Sequence, residues 1–109
     1  MALPEPPDEV VRPLAGLDRI VHEPARLMVL MYLFSVESAD FVFLLRATGL
    51  TWGNLSAHLA TLEEAGYVQI EKGFVSRKPR TMIRLTPAGR AAFEGYGRTM
   101  RRALEAFRG

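Results

Sequence analysis

Cysteine is absent from this 109-residue chain. That excludes a disulfide scaffold, a thiolate zinc site and a thiol redox sensor within it. Histidine is scarce: only His22 and His58 occur, on different expected helices and without HxxxH or HExxH spacing. No Ser/His/Asp arrangement or glycine-rich phosphate loop accompanies them, and the GxG at Gly95 neither follows a strand nor opens a helix. The chain is therefore expected to be no enzyme and to carry no metal or cofactor. Long apolar runs are missing too. The longest, residues 27–34, falls far short of the roughly 20 residues needed to span a bilayer. The opening MALPEPPDE is acidic and proline-rich, unlike a signal peptide. A cytoplasmic protein without a membrane partner is expected.

Acids are missing from one long stretch. Formal net charge is only +2, but residues 72–90 hold Lys72, Arg77, Lys78, Arg80, Arg84 and Arg90 with no Asp or Glu, so that segment is +6 and the remainder −4. Such a split puts positive potential on one surface while the body stays soluble.

What is present is an ordinary globular composition, 49% apolar and 24% charged, in a length that suits one compact domain. A domain this small buries a modest share of its surface, so dimerisation would add useful burial. Residues 1–7 contain three prolines and no periodicity; residues 1–12 are expected to be a flexible segment ahead of a single domain over 13–109. Leu14, Leu17, Ile20 and Val21 follow a helical pattern that should become regular at about Pro13, since proline suits a first turn. Pro24 ends that helix and starts the next, which is apolar on every side over residues 27–34 and reads as a core helix, or one buried by a partner as well. Ser38 can cap a third helix over residues 39–47, with Phe41, Leu44 and Leu45 as its core stripe.

The chain is organised around residues 49–66, GLTWGNLSAHLATLEEAG. Leu55, Leu59 and Leu62 form an apolar stripe at helical spacing, while Trp52, Asn54, Ser56, Ala57 and Thr61 lie on the other face, none of them acidic. Thr51 stands where an N-cap belongs and Gly66 where a C-terminal glycine belongs. A short helix, a tight Gly turn and such a capped helix are the parts of a helix-turn-helix, whose second helix, here 51–65, reads the DNA major groove. Beyond Gly66, residues 67–72 and 81–86 alternate as two strands joined by a long basic tip over 73–79. Thr86 and Pro87 then open a last helix to about Phe107, along which Phe93, Tyr96, Met100, Ala103 and Phe107 form a heptad-like seam. The expected fold class is α+β, mostly α: a winged helix-turn-helix with a two-stranded β-hairpin wing and flanking N- and C-terminal dimerisation helices.

Two strings carry a family resemblance: ADFVFLLRATGLTWGNLSAHLATLEEAGYVQIEKGF over 39–74 and RKPRTMIRLTPAGRAAFEGY over 77–96. Over about residues 13–107 the chain resembles short prokaryotic winged-helix transcriptional regulators related to the MarR and ArsR groups. The resemblance implies a homodimeric regulator of double-stranded DNA, with helix 51–65 in the major groove and residues 73–80 as the wing. Trp52 departs from the pattern at a position where such regulators carry a small or polar residue. A small-molecule effector is left unknown, because no specific pocket residues stand out.

The candidate contacts follow from side-chain chemistry. Asn54 and Ser56 can hydrogen-bond base edges, and Ala57 and Thr61 turn outward beside them. Thr51 is expected to cap the helix and contact a phosphate. Trp52 should meet a thymine methyl or the sugar-phosphate backbone, or else pack beside the wing. His58, at the border of the leucine stripe, should pack or face a phosphate. Arg77, Lys78 and Arg80 are the candidate backbone contacts, with Arg84 supporting the hairpin. The dimer interface is expected from Leu14, Leu17 and Val21 together with Phe93, Tyr96, Met100 and Phe107. A winged helix could instead be a protein-interaction module without sequence-specific DNA binding; the charge of the wing favours DNA.

Overall fold

The computed structural model describes residues 8–106. Phe107 and the expected flexibility of residues 1–7 lie outside them. Prolines and side-chain caps set most of the element boundaries. Helix α1 (Asp8–Val11) is one turn long and runs into a 3-10 turn over Arg12–Gly16. The regular helix expected from Pro13 does not form. Leu17 is extended, with ψ 141°, and the Asp18 carboxylate accepts the N–H groups of Ile20 (2.8 Å) and Val21 (3.2 Å). A side chain bonded to its own backbone in this way competes with helix. Helix α2 (Pro24–Val36) begins at its proline as expected, with Glu23 accepting from the Ala25 and Arg26 N–H groups.

Ser38 caps no helix. It opens β1 (Ser38–Asp40), and Asp40 caps α3 (Phe41–Thr48) instead, accepting the Phe43 N–H at 2.7 Å. Gly49, with φ 72°, turns the chain toward Thr51, whose Oγ1 accepts the Asn54 N–H at 3.2 Å and starts α4 (Trp52–Glu64). Strands β2 (Val68–Val75) and β3 (Lys78–Leu85) pair without a break out to Val75 opposite Lys78. The expected long tip is therefore a two-residue turn. Ser76 and Arg77 both have positive φ, 51° and 68°, the pattern of a type I′ hairpin turn. Because β1 pairs antiparallel with β3, the sheet has three strands in the order β1-β3-β2 where two were expected. Helix α5 (Pro87–Glu105) closes the chain, with the Thr86 Oγ1 accepting the Gly89 N–H at 3.0 Å.

Leu30, Leu33, Leu44, Leu55, Leu62 and Ile83 are fully buried where α2, α3, α4 and the sheet meet. Cutting one such leucine to alanine costs about 2–5 kcal/mol. Val21, expected at the dimer seam, is 0% exposed and belongs to this core, so it offers no surface to a second copy.

Candidate nucleic-acid interface

The leucine stripe holds α4 against the core as its spacing predicts, and Trp52, Asn54, Ser56 and Ala57 are all exposed. Thr51, also exposed, spends its oxygen on the cap. Thr61 is half-buried and donates to the Ala57 carbonyl at 3.2 Å, which turns its hydroxyl back onto the helix. The first turn of α4 contains no acid, so no carboxylate offsets the positive end of its dipole.

Beside this face stands the hairpin. Lys72, Arg77 and Lys78 are exposed on it. Arg80 is partly committed: its Nη2 lies 3.6 Å from Asp40 Oδ2, so the residue that caps α3 also ties the hairpin to that helix. A partly exposed pair of this kind adds about 0–1 kcal/mol, so its main effect is on position. The basic segment does not act as one patch. Arg84 sits opposite Ser38 at the β1 end of β3, and the Arg90 guanidinium lies 4.6 Å from the Phe34 ring centroid and 3.8 Å from Glu37. Between α4 and the hairpin runs a groove of about 630 Å³ lined by Phe41, Trp52, Ser56, Leu59, Lys72 and Lys78 among others. Trp52 is 62% exposed and rests on Phe41 of α3, the ring centroids 4.4 Å apart, at the edge of this groove.

His58 takes the packed option. Its Nδ1 is 3.1 Å from Arg26 Nη1 and 3.6 Å from Glu23 Oε2. A guanidinium can only donate, so the histidine nitrogen accepts from Arg26, the closer partner. Arg26 also donates to the backbone carbonyls of Ile20 (2.5 Å) and Arg19 (3.3 Å), binding the irregular segment to α4. Partial burial pushes the Glu23 carboxyl up. The Arg26 and Ala25 N–H groups and the nearby Arg26 charge outweigh that push, and its pKa lies below the ordinary value. Sequence reasoning missed this network, because it joins residues 32 positions apart through an unusual glutamate cap. It also missed Tyr67, whose hydroxyl donates to Asp18 and whose pKa is pushed up to about 12 by that bond, by burial and by the Asp18 charge.

Among the described residues, no group of three or more His, Cys, Asp or Glu could hold a metal ion, and no helix is long and apolar enough to cross a membrane. A family model described as a winged helix DNA-binding domain matches residues 25–104. The chain belongs to that family. This winged-helix domain is 36% identical to an uncharacterized protein of Methanocaldococcus jannaschii over 78 residues, 72% of this chain and 85% of the relative. It superposes on a transcriptional regulator homologue of Pyrococcus horikoshii OT3 with a TM-score of 0.81 at 26% identity, covering 89% of this chain and 95% of that one. A MarR-family regulator of Silicibacter pomeroyi matches with a TM-score of 0.64 at 23% identity, over 88% of this chain and 62% of that one. Regulators of the MarR and ArsR groups thus share the fold of this winged-helix domain.

Proposed function

We propose that this winged-helix domain is a transcriptional regulator that binds double-stranded DNA sequence-specifically as a homodimer. The observation that carries the reading is one adjacency: the exposed, acid-free first turns of α4 stand next to a cationic hairpin. Helix α4 enters the major groove. Asn54 reads a base edge, with Ser56 and Ala57 beside it, and Trp52 faces a thymine methyl or the backbone. Thr51 at the helix start lies near a phosphate. Arg77 and Lys78 contact the backbone or minor groove, and Arg80, through Asp40, sets the angle of the wing. For the dimer, α1 and the 3-10 turn lie against α5, leaving Leu14, Leu17, Phe93, Tyr96 and Met100 half-buried. Leu104, on the same helix, is 64% exposed. A second copy would cover these side chains.

The test is selection from a randomised duplex pool with wild type and with Asn54→Ala. Wild type should enrich two half-sites about one helical turn apart, or a multiple of it. Asn54→Ala should lose roughly 1–3 kcal/mol of discrimination at one position in each half-site. An unchanged preference profile removes Asn54 from base reading; no enrichment by wild type removes sequence specificity.

A further inference from the structure

We propose that the wing tip is an apolar wedge, with Phe74 the side chain that enters the minor groove and unstacks a base step. The wedge presupposes the DNA-binding reading above and specifies what the tip does to the duplex. Phe74 is 76% exposed and its neighbour Val75 is 49% exposed. Neither is needed by the fold. Full burial in the hairpin ends at Val68 and Ile83, partial burial at Ile70 and Thr81, and every residue over 71–80 is exposed. The turn itself is made by Ser76 and Arg77, which need no aromatic neighbour.

The ring is presented by a continuous ladder. Phe74 lies directly opposite Pro79, and pairing continues beyond it to Val75 and Lys78. A phenylalanine and a proline side by side make an apolar edge of the side-chain types that wedge between base steps in minor-groove proteins. Cations bracket this edge: Lys72 two positions before Phe74, then Arg77 and Lys78 at the turn, with no acid among them. A protein partner would call for a broad apolar patch. An isolated ring on a narrow ribbon between positive charges fits a polyanion that offers π-faces, since bases stack on aromatic side chains while phosphates take the cations.

The experiment uses the full chain and the duplex that wild type enriches, end-labelled for energy transfer and carrying 2-aminopurine at successive steps under the wing. Wild type should bend the duplex by about 20–90° and brighten 2-aminopurine at one step per half-site. Phe74→Ala should abolish both signals and weaken binding about tenfold, with the salt slope unchanged. Phe74→Leu should keep the bend. Because Phe74 lies outside the core, both variants should melt with wild type, which separates the wedge from folding. A bend that is absent in wild type, or equal in wild type and Phe74→Ala, overturns the wedge. If the salt slope is intact in that case, the DNA-binding reading still stands. Self-association that falls in Phe74→Ala while duplex geometry is unchanged also overturns it, in favour of a protein contact. A wild type with no salt-dependent duplex binding overturns both readings.

Discussion

At the scale of single residues, the tightest constraint is Gly89. A Cβ there would lie 2.1 Å from the Tyr67 carbonyl oxygen and 2.9 Å from its carbon and Cα. All three are backbone atoms and cannot swing aside. Gly89→Ala should therefore destabilise the domain by about 1–3 kcal/mol or more, seen as a lower denaturant midpoint. An unchanged midpoint would mean that α5 slides freely on the sheet. Tyr67 itself supplies a pH prediction. Its hydroxyl donates to Asp18, and that bond, burial and the carboxylate charge push the phenol from 10.0 to about 12. The fold thus favours the neutral phenol. The stability it contributes is fully present below pH 10 and is lost as pH rises through about 12. Tyr67→Phe should cost about 1–2 kcal/mol at neutral pH and approach wild type as pH climbs from 10 toward 12. A gap that stays constant across that range would rule out the Asp18 bond as its source.

At the scale of elements, the wing predicts a salt effect. Changing Arg77 and Lys78 together to alanine should weaken binding to all sequences about equally. The slope of log affinity against log salt should also flatten by roughly one per lost phosphate contact. An untouched slope would place the tip away from the backbone. The elements legible in the sequence are those set by local chemistry. Pro24, Thr51 and Thr86 fix helix starts with their own atoms, and Leu55, Leu59 and Leu62 declare the buried face of α4. The unread parts depend on distant partners. Ser38–Asp40 is a strand only because Arg84, Ile83 and Met82 lie beside it, and three residues carry no period of their own. The outer ladder from Gly73 to Val75 is hidden from the sequence because nothing there is buried, so no alternation marks it. The segment before Pro24 had helical spacing, yet Asp18 bonds its own backbone and sends Val21 into the core. The exposed polar face of α4 was readable in outline. The packing of His58 on Arg26 and the tie from Arg80 to Asp40 were not, since each joins elements whose contact only the fold creates.

At the scale of the whole molecule, the shape is long. The radius of gyration is 17.0 Å and the extents are 68 × 25 × 21 Å, against about 13 Å expected for a compact domain of this size. Helix α5, with Met100 half-buried and Leu104 exposed, is the surface on which the dimer proposal rests. Replacing both with glutamate should give a monomer by sedimentation and a lower melting temperature. A wild type that already sediments as a monomer at micromolar concentration would sink the proposal. Thr86 also ties that helix to the rest of the domain. Its hydroxyl donates to the Gly66 carbonyl (2.6 Å), its amide donates to the Tyr67 carbonyl (3.1 Å), and its oxygen accepts the Gly89 N–H. One residue therefore pins the chain just past α4, the root of the wing and the start of α5 to a common pivot. Helix α5 spans Pro87–Glu105, a lever arm of roughly 28 Å at 1.5 Å per residue. In a dimer geared through two such arms, a tilt of about 3° at the pivot moves the far end by roughly half of the ~3.4 Å base-pair rise. A tilt of about 7° would then follow one added base pair in distance but not the ~34° by which it turns one half-site about the duplex axis, so a one-base-pair insertion should cost more affinity through rotation than through length, and more than a mismatch at the outer edge.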